Sequence, residues 1–270
     1  MKIDAAVHFW KYEKSSAPQG IKNNKILQQH YLPEQLSPTL DRNGIGGCMA
    51  VAFVNEEVET RFLSELTKTH QLIKGVIGWT DLHGPQSIEK IKELHQYGTI
   101  KGFRIQVDEN SWPTPPVMEW LKEYGYTLEL DFRPQSDPRA GARFMEANPE
   151  QIFVLENAGN PATQGAPEKK WEQDVRLLAS HPQIHCKVCG LLSGGLDPKS
   201  WKPADLYPYL DILLDAFGME RLLFASDWPL ILVAGMYVQW KSLLEKYLEK
   251  VLQEDREKFF GENARNLYRI

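Results

Sequence analysis

The residues of this sequence best suited to chemistry are an aspartate near the C-terminus and a histidine near the N-terminus. Asp227 lies in the segment Phe224-Ala225-Ser226-Asp227-Trp228-Pro229, where an apolar run ends and a proline-marked loop begins. His8 ends a second apolar run that starts at Ile3. A carboxylate and an imidazole in one pocket are suited to general acid and base catalysis. The structural alternative for each residue alone is a buried His8 bonded to the backbone and an Asp227 that caps a turn.

Short apolar runs alternate along the chain with stretches of helical periodicity, which favours parallel pairing of strands. The predicted strands are Ile3–His8, Cys48–Val54, Ile73–Trp79, Ile100–Gln106, Thr127–Asp131, Ile152–Asn157, Ile184–Val188 and Leu222–Asp227. The predicted helices are Leu32–Leu36, Glu57–Thr69, Gln86–Tyr97, Pro116–Tyr124, Pro138–Ala147, Lys169–Ser180, Ala204–Phe217 and Tyr237–Leu252. A final short helix within 253–270 is expected to close the barrel after the last strand.

The size of the chain fits a closed barrel better than an open sheet. Eight strand and helix units in 270 residues match a (β/α)8 barrel. No G-x-G-x-x-G follows the first strand, as a doubly wound sheet would usually require. We therefore predict an α/β fold, a (β/α)8 TIM barrel, with residues 1–270 as a single domain.

The barrel topology predicts where the two candidate residues lie. The first and last strands are neighbours in a closed barrel, so His8 and Asp227 are expected to meet at the C-terminal mouth. Strict alternation along the first strand predicts that Asp4 and Ala6 point to the same side as His8. The connections 10–33 and 193–203 both follow strand ends, and loops of this length are often lids or disordered segments.

The composition excludes several classes of partner. The formal net charge is −5, which gives no broad basic face for nucleic acid. No apolar stretch approaches the roughly 18 residues of a membrane span, and no signal-peptide pattern opens the sequence. We expect a cytoplasmic protein with a small-molecule substrate and reduced cysteines. A homodimer is a possible assembly.

Several sequence segments together resemble a known family. They are Ile3–Trp10, Leu32–Leu36, Lys101–Arg104, Leu155–Pro161, Cys186–Leu191, Phe224–Pro229, Ala234–Gly235 and Phe260–Arg265. In this order they resemble the amidohydrolase superfamily, and within it the amidohydrolase 2 branch, which includes sugar-lactone hydrolases. The resemblance covers nearly the whole chain and implies a hydrolase of small cyclic esters.

The sequence departs from this family at the positions that usually carry histidines. The resemblance implies His-x-His at the end of strand one and histidines on strands four and six, but Ala6, Ile105 and Asn157 occupy those positions. Catalytic zinc normally takes three protein ligands, and only His8 and Asp227 remain as weak candidates. We therefore expect no cofactor, or a weakly bound divalent metal such as zinc.

The resemblance also assigns expected roles around the mouth. Lactone hydrolysis does not strictly require a metal, because a general base and an electrophilic clamp can suffice. Asp227 is therefore expected to act as base, with His8, Arg104 and Lys187 polarising the carbonyl or holding a carboxylate. The structural alternatives are an ion pair of Arg104 with Asp131 or Glu129, and a solvated strand end for Lys187.

Further candidates for substrate binding follow the strand ends. Asp131 is expected to hold hydroxyls or to pair with an arginine. Asn157 is expected to bind substrate, and because it neighbours Glu156 on the predicted strand, only one of the two should enter the pocket. Trp10 and Trp228 are candidates to stack on a sugar ring, with packing beneath loops as the alternative.

Three functions remain open at this stage. The first is a lactone hydrolase with an aspartate base and little or no metal dependence. The second is a catalytically inactive paralogue that binds a sugar acid or acts as a scaffold. The third is a metal-dependent decarboxylase-like relative.

Overall fold

A computed structural model describes residues 1–15, 17–108 and 112–270. Its sheet contains eight parallel strands in sequential order, each paired with the next. The strands are β1 Ile3–Val7, β2 Gly47–Val51, β3 Ile73–Gly78, β4 Ile100–Val107, β5 Thr127–Phe132, β6 Phe153–Leu155, β7 Ile184–Val188 and β8 Leu222–Phe224. The prediction of a (β/α)8 barrel is confirmed.

Helices follow the strands on the outside of the sheet, as the periodicity predicts. They are α1 Gln19–Lys22, α2 Pro33–Arg42, α3 Glu57–Thr67, α4 Ser87–His95, α5 Pro115–Tyr124, α6 Pro138–Ala147, α7 Lys169–Ala179, α8 Pro203–Phe217, α9 Tyr237–Tyr247, α10 Gln253–Glu257 and α11 Asn263–Tyr268. The connection 10–33, predicted as irregular, contains α1 and a short 3-10 turn. None of the helices in the described parts of the chain is long and apolar enough to span a membrane.

The barrel closes through backbone contacts just beyond the end of β8. Val7 and Trp228 form a parallel bridge, and the His8 N–H donates to the Trp228 carbonyl at 2.7 Å. The Asp227 N–H donates to the Ala6 carbonyl at 3.0 Å. The two candidate residues therefore lie on directly adjacent backbone segments.

One extra residue in β1 disrupts the predicted alternation. Asp4 is opposite Cys48 and Val7 is opposite Ala50, so β1 advances three residues while β2 advances two. Asp4 consequently lies on the helix side, where it accepts from the Tyr237 hydroxyl at 2.9 Å. Ala6 packs in the inner core. The prediction that Asp4 shares a side with Ala6 is wrong for this reason.

Two apolar layers hold the barrel together. The outer layer fills the space between strands and helices, and the inner layer fills the barrel with residues such as Met49, Val51 and Ile77. Each of these three side chains is at most 1 % exposed, and burial of one such side chain contributes about 1.5–3 kcal/mol. Tyr268 of α11 enters the inner layer, so the predicted closing helix is confirmed.

The strands β6 and β8 end earlier than predicted, and site residues follow both of their ends. β6 ends at Leu155 and β8 ends at Phe224, so Asn157 and Asp227 lie beyond the sheet. Both residues have positive φ angles, 51° and 59°. A short apolar run in the sequence does not show where the strand ends, because the end depends on the loop that follows.

Candidate active site

The His8 imidazole and the Asp227 carboxylate are in direct contact at the mouth of the barrel. Nε2 of His8 lies 3.0 Å from Oδ1 of Asp227, and the two residues are 4 % and 3 % exposed. The predicted meeting of these side chains is confirmed. The pair forms although the residues are 219 positions apart in sequence, because barrel closure brings the first and last strands together.

The contacts of His8 fix the orientation of its imidazole ring. Nδ1 lies 2.8 Å from the carbonyl oxygen of Val51, and a carbonyl oxygen can only accept, so Nδ1 carries a hydrogen. Nε2 is then the ring nitrogen that contacts the Asp227 carboxylate. His8 is thereby oriented from both sides, and Asp227 keeps its second oxygen for other partners.

The backbone at Asp227 is held in an unfavourable conformation. Its φ of 59° lies in the left-handed region, which costs a non-glycine residue about 1–3 kcal/mol. The N–H bond to Ala6 and the acceptance of the Ile231 N–H by the Asp227 carbonyl hold this geometry. Strained residues that the surroundings hold in place concentrate at functional sites.

Arg104 and Asp131 form the second polar group at the mouth. One Arg104 nitrogen donates to Asp131 Oδ2 at 2.7 Å and another donates to the Ala52 carbonyl at 2.9 Å. Asp131 also contacts Arg133 at 2.6 Å and accepts from Asn160 at 2.9 Å. The predicted ion pair of Arg104 with Asp131 is therefore present. Asp131 also pairs with Arg133, so its carboxylate is engaged by two arginines.

Lys187 lies inside the barrel and not at a solvated strand end, so that alternative is wrong. It is fully buried, its Nζ contacts Glu129, and it lies 3.0 Å from Glu156. Burial raises the pKa of Glu129. For Glu156 burial also raises the pKa, but the Lys187 charge, the hydrogen bond with Glu129 and the Arg104 charge together outweigh burial, and the net pKa is lowered. These opposite directions make Glu129 the more readily protonated of the two carboxyls beside the Lys187 ammonium.

Asn157 and Glu156 both lie beyond the end of β6, so the strand alternation that was expected to admit only one of them to the pocket does not apply. With β6 ending at Leu155, Glu156 points into the barrel toward Lys187. Asn157 then turns through its left-handed backbone, and its Oδ1 accepts from the Cys189 thiol at 3.2 Å. Burial raises the pKa of the Cys189 thiol, so it remains a donor. Asn157 is partly exposed.

The two tryptophans differ in what they offer a ligand. Trp228 is 4 % exposed and packs against Phe9 and Tyr31 with ring centroids 5.9 and 5.1 Å apart, as in the packing alternative. Trp10 is 8 % exposed, donates from Nε1 to the Gln29 carbonyl at 3.0 Å, and lines a cavity.

Sequence reasoning missed one carboxylate near the pair. Glu59, in the first turn of α3, accepts from the Val54 N–H at 2.7 Å. Burial raises its pKa to about 7, and the charges of His8 and Arg104 oppose this rise. Its sequence context is an ordinary helix start rich in glutamates, which carries no signal for a site.

The donor set at the mouth does not fit a tightly held catalytic zinc. Among the residues that the structure describes, no group of three or more His, Cys, Asp or Glu side chains is placed to hold a metal ion. Ala6 supplies no donor, and Ile105 packs in the outer layer, away from the mouth. Three protein ligands are the norm for catalytic zinc, and His8 with Asp227 supplies two.

Comparison with known proteins gives consistent relatives over the full length. An L-fucono-1,5-lactonase of Burkholderia multivorans is 31 % identical, with 100 % of this chain and 96 % of the relative aligned. One from Burkholderia ambifaria is 28 % identical with the same coverage. A crystal structure of a Burkholderia multivorans amidohydrolase with bound zinc superimposes with a TM-score of 0.88 at 30 % identity, covering 100 % of this chain and 99 % of that one.

A family model described as amidohydrolase matches residues 3–270. This match includes every strand of the barrel and both members of the His8 and Asp227 pair. The chain belongs to the amidohydrolase family, in the branch that includes sugar-lactone hydrolases.

Proposed function

We propose that this protein hydrolyses a small sugar 1,5-lactone, with Asp227 as general base and without need of a bound metal. The observation that carries the proposal is the buried contact between His8 and Asp227 at the C-terminal mouth of the barrel, the end at which TIM-barrel enzymes place their chemistry. The names of the full-length relatives, L-fucono-1,5-lactonase, support the substrate class.

In the proposed reaction, Asp227 accepts a proton from water while the water oxygen bonds to the lactone carbonyl carbon. His8 holds the carboxylate through Nε2 and is itself held by the Val51 carbonyl. The bond between the carbonyl carbon and the ring oxygen then breaks, and the ring oxygen takes the proton from Asp227. The products are a hydroxyl and a carboxylic acid in one open chain.

The carbonyl oxygen gains negative charge during the attack, and Arg104 is the proposed partner for that charge. Two of the five N–H groups of a guanidinium are engaged here by Ala52 and Asp131, which fixes its plane. A cation oriented before the reaction stabilises developing charge without reorganisation. Lys187 is excluded from this role, because Glu129 and Glu156 surround its ammonium within the buried core.

Hydrolysis can be tested by acid release in weakly buffered indicator solution, since each turnover produces one carboxylic acid. The substrates are L-fucono-1,5-lactone, other aldono-1,5-lactones and, as a control class, 2,6-dihydroxybenzoate. We expect acid release from the lactones well above the spontaneous rate and no loss of carbon dioxide from the benzoate. Hydrolysis of no lactone, with binding of a sugar acid alone, would support an inactive paralogue instead.

A further inference from the structure

A cavity beside the catalytic pair combines aromatic walls with an anchored carboxylate. It has a volume of about 610 Å³ and is lined by the segment Phe9–Glu13, by Phe53 and by Glu59 of α3, among others. Ligand pockets for small molecules typically measure about 300–1,000 Å³. The cavity is therefore large enough for a sugar-sized ring.

The cavity adjoins His8 through the ring of Phe53. The Phe53 ring centroid lies 5.5 Å from that of His8 and 5.6 Å from that of Trp10. Phe53 and Tyr12 are both partly exposed. A ring that stacks on Phe53 within the cavity would therefore lie close to the catalytic imidazole.

Glu59 is fixed at the wall of this cavity by its own loop. Its Oε2 accepts from the Val54 N–H at 2.7 Å. This hydrogen bond to the backbone holds the carboxylate in a fixed position. The charges of His8 and Arg104 lower the pKa of Glu59 against the effect of burial, so both groups act on this carboxyl. Anchoring of this kind is what a site needs to recognise a ligand without first reorganising.

We propose that Glu59 is a specificity-determining residue whose carboxylate accepts hydrogen bonds from the ring hydroxyls of a neutral sugar lactone stacked on Phe53. This inference rests on the proposed lactone hydrolysis and adds to it the group that selects a polyhydroxylated ring. Hydroxyl groups donate to carboxylates in short, strong bonds, and aromatic faces suit the apolar face of a ring.

The same arrangement disfavours acidic ligands. Besides Glu59, the described residues of the cavity wall include the carboxylates of Glu13 and Glu56 and the amine of Lys11. A ligand with ring carboxylates would place like charges together in this partly enclosed space. The cavity thus distinguishes a neutral polyol lactone from an anionic cyclic ester of similar size.

The test compares Glu59→Gln with Glu65→Gln. Gln at position 59 keeps an oxygen for the Val54 N–H and removes the charge, while Glu65 lies on the same helix, pairs with Lys68 and is exposed. Calorimetric titration with a 1,5-anhydrohexitol, a neutral polyol ring that cannot be hydrolysed, measures binding. We expect Glu59→Gln to raise Kd about 10- to 100-fold, as for loss of hydrogen bonds to a charged group, and Glu65→Gln to leave Kd unchanged.

Kinetics with two lactones separates recognition from a damaged fold. For an aldono-1,5-lactone Glu59→Gln should raise KM about tenfold with little change in kcat, whereas δ-valerolactone, which has no hydroxyls, should be unaffected. The inference would be overturned if Glu59→Gln changed KM equally for both lactones, or if it left the Kd for the anhydrohexitol unaltered. If the wild type hydrolyses neither lactone, the proposed function fails, while the binding data still decide the role of Glu59.

Discussion

Replacing Asp227 by asparagine is the perturbation that isolates the proposed base. The amide has the same shape, its oxygen can face His8 Nε2, and asparagine tolerates the left-handed φ of 59°. The change therefore removes the charge and the basicity while leaving the backbone geometry in place.

The expected loss follows from the role of a general base. A positioned base contributes about 10²–10⁴ to the rate, which corresponds to about 3–5 kcal/mol of transition-state stabilisation. We expect kcat for an aldono-1,5-lactone to fall by this factor in Asp227→Asn, with KM nearly unchanged, because the substrate hydroxyls bind elsewhere.

The assay is continuous acid release at several substrate concentrations, with a thermal melt to establish folding. Asp215→Asn is the matched control, since Asp215 is an exposed carboxylate that pairs with Arg176 on the barrel surface, and its loss should leave kcat unchanged. A folded Asp227→Asn that retains kcat within about tenfold of wild type would refute the assignment of Asp227 as the base.

Three further outcomes are expected. Lys187→Met leaves the buried carboxyls Glu129 and Glu156 without their cation, so urea unfolding should show a loss of about 3–5 kcal/mol; a loss below about 1 kcal/mol would contradict the ion-pair account. Burial raises the pKa of Asp4 from 3.8 to about 6. Between pH 3.8 and about 6, Asp4 is ionised in the unfolded chain but protonated in the folded one. The free energy of unfolding should therefore fall as pH rises through this range, by up to about 3 kcal/mol. In Asp4→Asn the free energy of unfolding should depend less on pH than in the wild type. The same pH dependence in urea titrations of the variant and the wild type would contradict this expectation. Dialysis against EDTA should leave kcat within about twofold, because the mouth offers two zinc ligands where three are the norm; loss of activity that zinc restores would show a metal-dependent enzyme.

The eight-strand barrel could be predicted because the signal repeats along the whole chain. Each unit contributes an apolar run and a helical stretch, so an error of a few residues at one boundary does not change the topology. The meeting of His8 and Asp227 follows from that topology alone, since barrel closure makes the first and last strands neighbours.

The details of the site could not be predicted in the same way. The extra residue in β1 moved Asp4 to the helix side, and the early end of β6 turned Glu156 inward, because both depend on contacts with other segments. One signal was present in β5, where Glu129 and Asp131 alternate with Leu128 and Leu130. Acidic residues at every second position of a buried strand indicate a polar barrel interior.

Glu59 illustrates what sequence alone leaves open. It stands in the first turn of α3, where acidic residues are common because they interact favourably with the helix dipole. Its position beside Phe53 depends on the path of the loop between β2 and α3. Only coordinates reveal that this glutamate faces a cavity and not solvent.

The central claim is that the His8 and Asp227 pair acts on a lactone carbonyl. A crystal structure of the Asp227→Asn variant with an aldono-1,5-lactone bound tests it most directly. The account predicts the intact lactone at the barrel mouth, with its carbonyl carbon facing position 227 through one water molecule and its carbonyl oxygen toward Arg104. A lactone bound away from this pair, with no path for water between them, would contradict the account.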